Sequence, residues 1–482
     1  MAIAPITVVQ SISTSFCKRP IVQISVAAAF KPHGGYVTGP QGVREVARSN
    51  EKGAVLKSAS ESFLKGLADR TFLSLWSIPN TFYAPGKELT DLIVPFGDDI
   101  IVISDKASRF AFDKPLKIAW QRWYKATVVE GLRQLKTAVQ RIERTPGTVF
   151  ADGRARVPIL HDLGSVAAKR FHLVAIARPD TDPHAVPAVW PGLTYSSDTL
   201  PEPFAIGPLE IAGQVVHVFD GPTIDLLFEH LDTAPDFLAY LTGRAWRLAQ
   251  ADQHRFAEKD LLAAALIGWE EEPPGLPSVP PLETIVPGLW DMYAASETPV
   301  RRREMDRPSE VIDRLIAIHH GEFEAGRALY GVPSFAQHEF AMRLLAAESR
   351  FARRIIAHEL HDIVQEEDQS TYWVSTVASP TMPTLRYVWL IHPDAPEGIS
   401  NEVADAAIRT LLMDYILAIQ GRFEQTLVLG IALPNGRGNN TSIIMAAHDK
   451  TNWTEHDFEE ARKLRDGGVF NAPEANQRLH FR

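Results

Sequence analysis

The stretch GKELTDLIVPFGDDIIVISDK, residues 86–106, places a carboxylate, Asp91, and an ammonium, Lys106, where both could act on one phosphate ester. Hydrolysis of a phosphodiester at neutral pH is helped by a divalent cation held on carboxylates, which activates water and balances charge on the phosphate. A nearby lysine then orients that water or neutralises charge as it develops. The elements that would position the pair are legible in the same stretch. Leu92-Ile93-Val94 and Ile100-Ile101-Val102-Ile103 have the apolar, β-branched character of buried strands, and Phe96-Gly97-Asp98-Asp99 supplies turn residues, so a hairpin is expected over 88–106. Alternation with period two puts positions 104 and 106 on one face of the second strand and Asp105 on the other. An acid at 104 would complete an acid-x-Lys pair, but the sequence has Ser104 there.

Flanking elements add candidates. Residues 117–144 carry seven basic residues against Glu130 and Glu143. Val128, Val129, Leu132, Leu135, Val139 and Ile142 form one helical apolar face, so the cations should occupy the other. On a chain of net charge −10, Arg122, Lys125, Arg133 and Lys136, with Trp120, Trp123 and Tyr124 interleaved, make a candidate phosphate-contact surface for nucleic acid. The blander alternative is a solvated amphipathic helix whose aromatic residues belong to the core. Upstream, a helix is expected from Ser49 or Asn50, with Glu61 on it and an apolar stripe of Val55, Phe63, Leu64 and Leu67. Phe72 to Ile78 then reads as a short buried element closed by a turn at Pro79-Asn80.

Several short motifs carry a family resemblance: Phe72-Leu-Ser-Leu-Trp76, Gly86-Lys-Glu-Leu-Thr-Asp91, Phe96-Gly-Asp-Asp-Ile-Ile101, Ser104-Asp-Lys106 and Arg133-Gln134-Leu135. Val218-Phe-Asp220 and Leu231-Asp-Thr233 extend it. Over about residues 50–250 the chain resembles a family of uncharacterised bacterial proteins with a restriction-endonuclease-like domain of the PD-(D/E)XK type, distantly related to NERD nuclease domains. The resemblance implies an α/β core, a mixed sheet flanked by helices. It also implies Mg²⁺ on Asp91 and Glu61, Lys106 acting on water or phosphate, and Gln134 supporting the site from the following helix. Ser104 departs from that pattern, because a hydroxyl is a far poorer Mg²⁺ ligand than a carboxylate. Glu61 and Glu88 are the acids that could replace it. Glu88, three residues before Asp91, is expected on the opposite strand face, which favours Glu61. Two functions stand side by side. One is metal-dependent phosphodiester hydrolysis on nucleic acid, DNA first, in defence or repair. The other is a catalytically degenerate nucleic-acid-binding or assembly protein that keeps the fold.

At 482 residues the chain is long enough for two or three domains. The single cysteine, Cys17, excludes an internal disulfide or a cysteine-based metal site and suits a reducing cytoplasm. No run nears the ~18 apolar residues of a membrane helix, so no membrane partner is expected. Residues 1–48, without an acid before Glu45, read as a disordered extension in preference to a transit or signal peptide. Six prolines in 271–288 mark a linker between a nuclease-like domain at 49–270 and a C-terminal α+β module at 289–482. Two further motifs have bland readings. His358-Glu-Leu-His-Asp362 has an aspartate where the HExxH zinc motif needs its second histidine, so it reads as helical surface charge. Leu433–Asn440, rich in Gly and Asn, reads as a long hairpin turn in preference to a phosphate cradle.

Overall fold

The computed structural model describes residues 22–27, 59–164, 169–180, 190–198, 202–250, 254–271, 278–326, 334–364, 372–395, 398–435, 442–451, 453–469 and 479–480. Within the expected N-terminal extension it describes one element, β1 (Val22–Ala27), which pairs antiparallel with a strand of the C-terminal half. Helix α1 (Ala59–Trp76) is followed by three antiparallel strands, β2 (Ile78–Ala84), β3 (Lys87–Phe96) and β4 (Asp99–Ser108). The chain leaves this sheet as one helical run: α2 (Leu116–Tyr124), a π-helical segment (Lys125–Val129) and α3 (Glu130–Arg144). It returns as β5 (Arg170–Pro179), parallel to β4. After β6 (Thr194–Ser196), β7 (Ala205–Ile206) and β8 (Glu210–Ile211), β9 (Gln214–Phe219) lies parallel to β5, giving a six-stranded mixed sheet of order β2-β3-β4-β5-β9-β8.

A helical layer follows: α4 (Gly221–His230), α5 (Ala234–Gln250), then β10 (Arg255–Ala257) and α6 (Glu258–Glu271). It continues through α7 (Leu289–Ala295), α8 (Thr298–Asp306), α9 (Glu310–Glu324), α10 (Phe335–Ala346) and α11 (Arg350–Val364). The second six-stranded sheet is built from β11 (Trp373–Ala378), β12 (Leu385–His392), β13 (Leu427–Pro434), β14 (Ser442–Asp449) and β15 (Leu479–His480), with β1 at its edge. Helix α12 (Asn401–Gln420) links the parallel pair β12 and β13, and α13 (Glu455–Asp466) follows β14. The protein is therefore mixed α/β, with a mixed sheet in each half. Among the described residues no helix is long and apolar enough to cross a membrane.

The central hairpin forms where the pattern placed it, with Gly97 at φ +61 in the tight turn. Its alternation sorts side chains between two cores. Ile93, Ile100 and Val102 pack with Leu135, Val139 and Ile142 of α3, whereas Leu92, Val94, Ile101 and Ile103 join Phe72, Trp76 and Phe237 on the other face. Pro79-Asn80 differs from expectation: both residues lie inside β2, the outermost strand. An edge strand tolerates proline because the missing N–H faces away from the ladder.

One apolar cluster runs from the first sheet through the helical layer into the second and includes Val279 and Leu282 of the Pro-rich segment. A buried polar knot crosses the same region. Arg350, 2% exposed, donates from Nε to Asp232 (2.9 Å), from Nη1 to Asp313 (2.7 Å), and from its backbone N–H to Asp236 (2.9 Å). Burial pulls its pKa down, but Asp232 and Asp313 hold it above the ordinary arginine range. Removing one partner of such a knot leaves buried charge uncompensated. Arg350→Met should therefore cost about 3–5 kcal/mol in one denaturation transition that reports on both sheets. Separate transitions, with the first sheet unaffected, would count against a shared core.

Buried imidazoles occupy the seam between α9, α10 and the loop at His161. His319 and His338 are fully buried, and neither ring nitrogen of either has a hydrogen-bond partner among the described residues. His338 stacks on Phe323 at 4.3 Å and on His320 at 5.6 Å. Burial, with the neighbouring His320 and His319, pushes His338 down to about 2, and burial alone pushes His319 down to about 3. Since the folded values lie below the unfolded 6.5, the unfolded chain binds more protons. The stability is complete above pH 6.5 and is lost as pH falls towards the folded values. At pH 5 each such histidine should cost about 2 kcal/mol. Urea midpoints from pH 7.5 to 5 should fall, and His338→Phe should flatten the fall; an unchanged slope would contradict this placement.

Candidate active site

The β3–β4 ladder ends at the pair Leu92–Ile103. Beyond it, the carboxylate of Asp91 takes the place of a strand carbonyl. Its Oδ2 accepts from the backbone N–H of Asp105 (2.8 Å) and from Lys106 Nζ (2.9 Å). Asp91 and Lys106 thus meet on the α3 side of the sheet, as the alternation predicts, and their side chains remain 14% and 27% exposed, open to a ligand. Asp105 points to the opposite face, where Arg178 Nε donates to its Oδ1 at 3.0 Å in a buried ion pair.

Gln134 of α3 joins the same face. Its Oε1 accepts from Ser104 Oγ (2.6 Å), and its Nε2 lies 3.4 Å from Glu88 Oε1. Ser104 is fully buried because α3 comes down on β4 at Gly131. A Cβ on Gly131 would meet Ser104 Oγ and Ala175 Cβ at 3.5 Å, an ordinary van der Waals contact. The π-helical segment shifts the phase of α3 against α2, so that Trp120 and Trp123 face the core before Gly131 and Gln134 turn to β4.

Glu88 departs from the expected face. Along the β2–β3 ladder Thr90 opposes Thr81 but Glu88 opposes Phe82, so Leu89 is an extra residue on β3. Such a bulge resets the alternation and brings Glu88 round to Gln134. Strict period-two counting misses this, and no glycine or proline stands at Leu89 to signal it. Glu61 lies on α1, which packs against the sheet face opposite Asp91, and its side chain lies outside the described residues.

Arg122, Lys125, Arg133 and Lys136 are all solvent-exposed, with Arg133 paired to Glu130 at 3.0 Å. The aromatic residues among them are not available to a ligand in the same way. Trp120 and Trp123 are buried and stacked at 5.3 Å, as the blander reading held. At the far end of the hairpin, burial would raise Asp99, but hydrogen bonds from Arg170 and His172 hold it down at about 2, which clamps the turn. His358 and His361 are exposed on α11, and no group of three or more metal-ligating side chains occurs among the described residues. Of Leu433–Asn440, Leu433 and Pro434 end β13, and residues 436–440 lie outside the described residues.

Comparison with family models, curated proteins and solved structures found no match to this chain. The close approach of α3 is directly testable. Ser104→Glu should lower stability by about 2–4 kcal/mol through overpacking and a buried charge. A variant as stable as the parent in urea would mean that position 104 is open to solvent.

Proposed function

We propose that the first sheet is a restriction-endonuclease-like core and that its Asp91–Lys106 face hydrolyses phosphodiesters in nucleic acid, DNA first. The element order supports the fold assignment: a helix, three antiparallel strands, a helical crossover and a parallel strand. The observation that carries the functional reading is the convergence of Asp91, Lys106, Gln134 and Glu88 on one face through three hydrogen bonds and the β3 bulge.

The donor set fits Mg²⁺, which takes oxygen ligands, keeps several waters, and needs only one or two carboxylates besides the substrate phosphate. Asp91 Oδ1 has no hydrogen-bond partner among the described residues, and Glu88 adds a solvent-exposed carboxylate. These two residues would hold the ion, with Glu88 in place of the acid absent at 104. When bound, Mg²⁺ supplies a more acidic water and charge balance on the phosphate. Lys106, fixed by Asp91, neutralises charge developing on the phosphate oxygens. Gln134 holds Glu88 against Ser104, and Arg122, Lys125, Arg133 and Lys136 meet the backbone.

Ser104 favours a second reading, binding without cleavage, because the residue beside Lys106 on that face cannot take up a metal as a carboxylate does. Incubation of the full chain with DNA or RNA and Mg²⁺ or Mn²⁺ separates the two. Hydrolysis should appear and fall about 100-fold or more in Asp91→Ala. Full activity in Asp91→Ala or Lys106→Ala overturns the site. Salt-sensitive binding with no cleavage under either metal selects the second reading.

A further inference from the structure

A cavity beside β9 shares no lining residue with the Asp91–Lys106 face. It lies among β6, β7, β9 and α5, and with its open mouth it encloses about 640 Å³. Ile206, Leu209, Val216, Val218 and Leu248 give it apolar walls. Two charged side chains of the lining are buried, Arg244 and Glu258, at 3% and 6% exposure. A concave, mostly apolar space with a few convergent polar groups is the usual form of a small-molecule site.

The polar groups define what a ligand must bring. Both Glu258 oxygens are taken. Oε1 accepts from the Tyr240 hydroxyl (2.7 Å) and Arg244 Nε (2.8 Å), and Oε2 accepts from Arg244 Nε (3.0 Å) and Nη2 (2.9 Å). An arginine only donates, so the 3.1 Å contact of Arg244 Nη1 with His217 Nδ1 makes that nitrogen an acceptor and the buried ring uncharged. Burial and the neighbouring Arg244 push His217 well below the ordinary histidine range, in agreement. The cluster thus holds one positive and one negative charge. The guanidinium lies over the rings of Tyr195 and Phe219, 5.7 and 5.3 Å from their centres, so it is fixed in place. A second hydrogen on each of Nη1 and Nη2 has no partner among the described residues.

We propose that this cavity binds a small uncharged molecule with an apolar body and a carbonyl-type acceptor, which Arg244 engages. The unused capacity of the buried ion pair is donor capacity, so the ligand supplies the acceptor. Thr223 and Tyr195 add hydroxyls that donate or accept as the ligand requires. Charge on the ligand is disfavoured in either sign. A carboxylate would bring a second anion up to Glu258, with the exposed Glu210 of the lining adding to the repulsion, and an ammonium would face Arg244. The apolar walls hold the remainder of the molecule.

The test is a ligand-observed NMR titration of the full chain with three probes that share one ring: benzamide, benzoate and toluene. It is independent of the nucleic-acid reading, whose failure or success leaves it unchanged. Benzamide should bind about tenfold more tightly than toluene, which lacks the acceptor, and than benzoate, which adds a charge. Arg244→Met combined with Glu258→Met replaces the ion pair by apolar side chains of similar length. It should erase the advantage of benzamide and leave toluene binding intact. Leu248→Trp, at a partly exposed wall position, should weaken benzamide about tenfold or more by narrowing the cavity. An unchanged melting temperature shows that each variant folds. If the double variant does not, the ranking of probes by the parent and the effect of Leu248→Trp still decide. Toluene or benzoate bound as tightly as benzamide by the parent overturns the proposal. So does an advantage that persists in the double variant, benzamide binding unchanged in Leu248→Trp, or no binding of any probe at millimolar concentration.

Discussion

Where two antiparallel strands part, the first unpaired backbone N–H must find an acceptor or remain unsatisfied. In this protein Asp91 supplies it. The Asp105 N–H and the Lys106 ammonium share one carboxylate oxygen, so the end of the β3–β4 ladder and the placement of the lysine are a single event. Thr90 reinforces it, donating from Oγ1 to Ile103 O at 2.6 Å across the last paired rung. The polar site thus grows out of a backbone requirement, set at the edge of two cores that keep the strands rigid.

The close seat of α3 on β4 sets the second constraint. Ser104 is fully enclosed where α3 passes over β4 at Gly131, and Gln134 satisfies the serine hydroxyl while its amide nitrogen reaches Glu88. A serine in the position beside Lys106 is therefore consistent with the packing around it. On β3, the extra residue at Leu89 brings Glu88 round to the same glutamine.

Much of this was legible in the sequence. The hairpin, the opposed directions of Asp105 and Lys106, and helix α12 over 401–420 follow from strong periodicity in apolar residues. The illegible parts share a cause. Pro79-Asn80 looks like a turn because local propensity cannot show that β2 is an outer strand. Glu88 was expected on the wrong face because a bulge breaks the count of two without changing composition. The Arg350 knot joins residues more than a hundred positions apart, and the seam of histidines draws on three separate segments. Pairings of that range leave no trace in a window of ten or twenty residues. They also tie the halves on either side of the Pro-rich segment into one core.

The central claim is that Asp91 and Glu88, on one face of β3, hold a divalent cation. Electron paramagnetic resonance of Mn²⁺ titrated into the full chain tests it most directly, since bound and free ion differ in signal and no substrate is needed. The account predicts one Mn²⁺ site per chain that weakens in Glu88→Gln, disappears in Asp91→Asn, and is competed by Mg²⁺. Mn²⁺ bound equally well by the parent and by Asp91→Asn, or not bound by the parent at all, would contradict it.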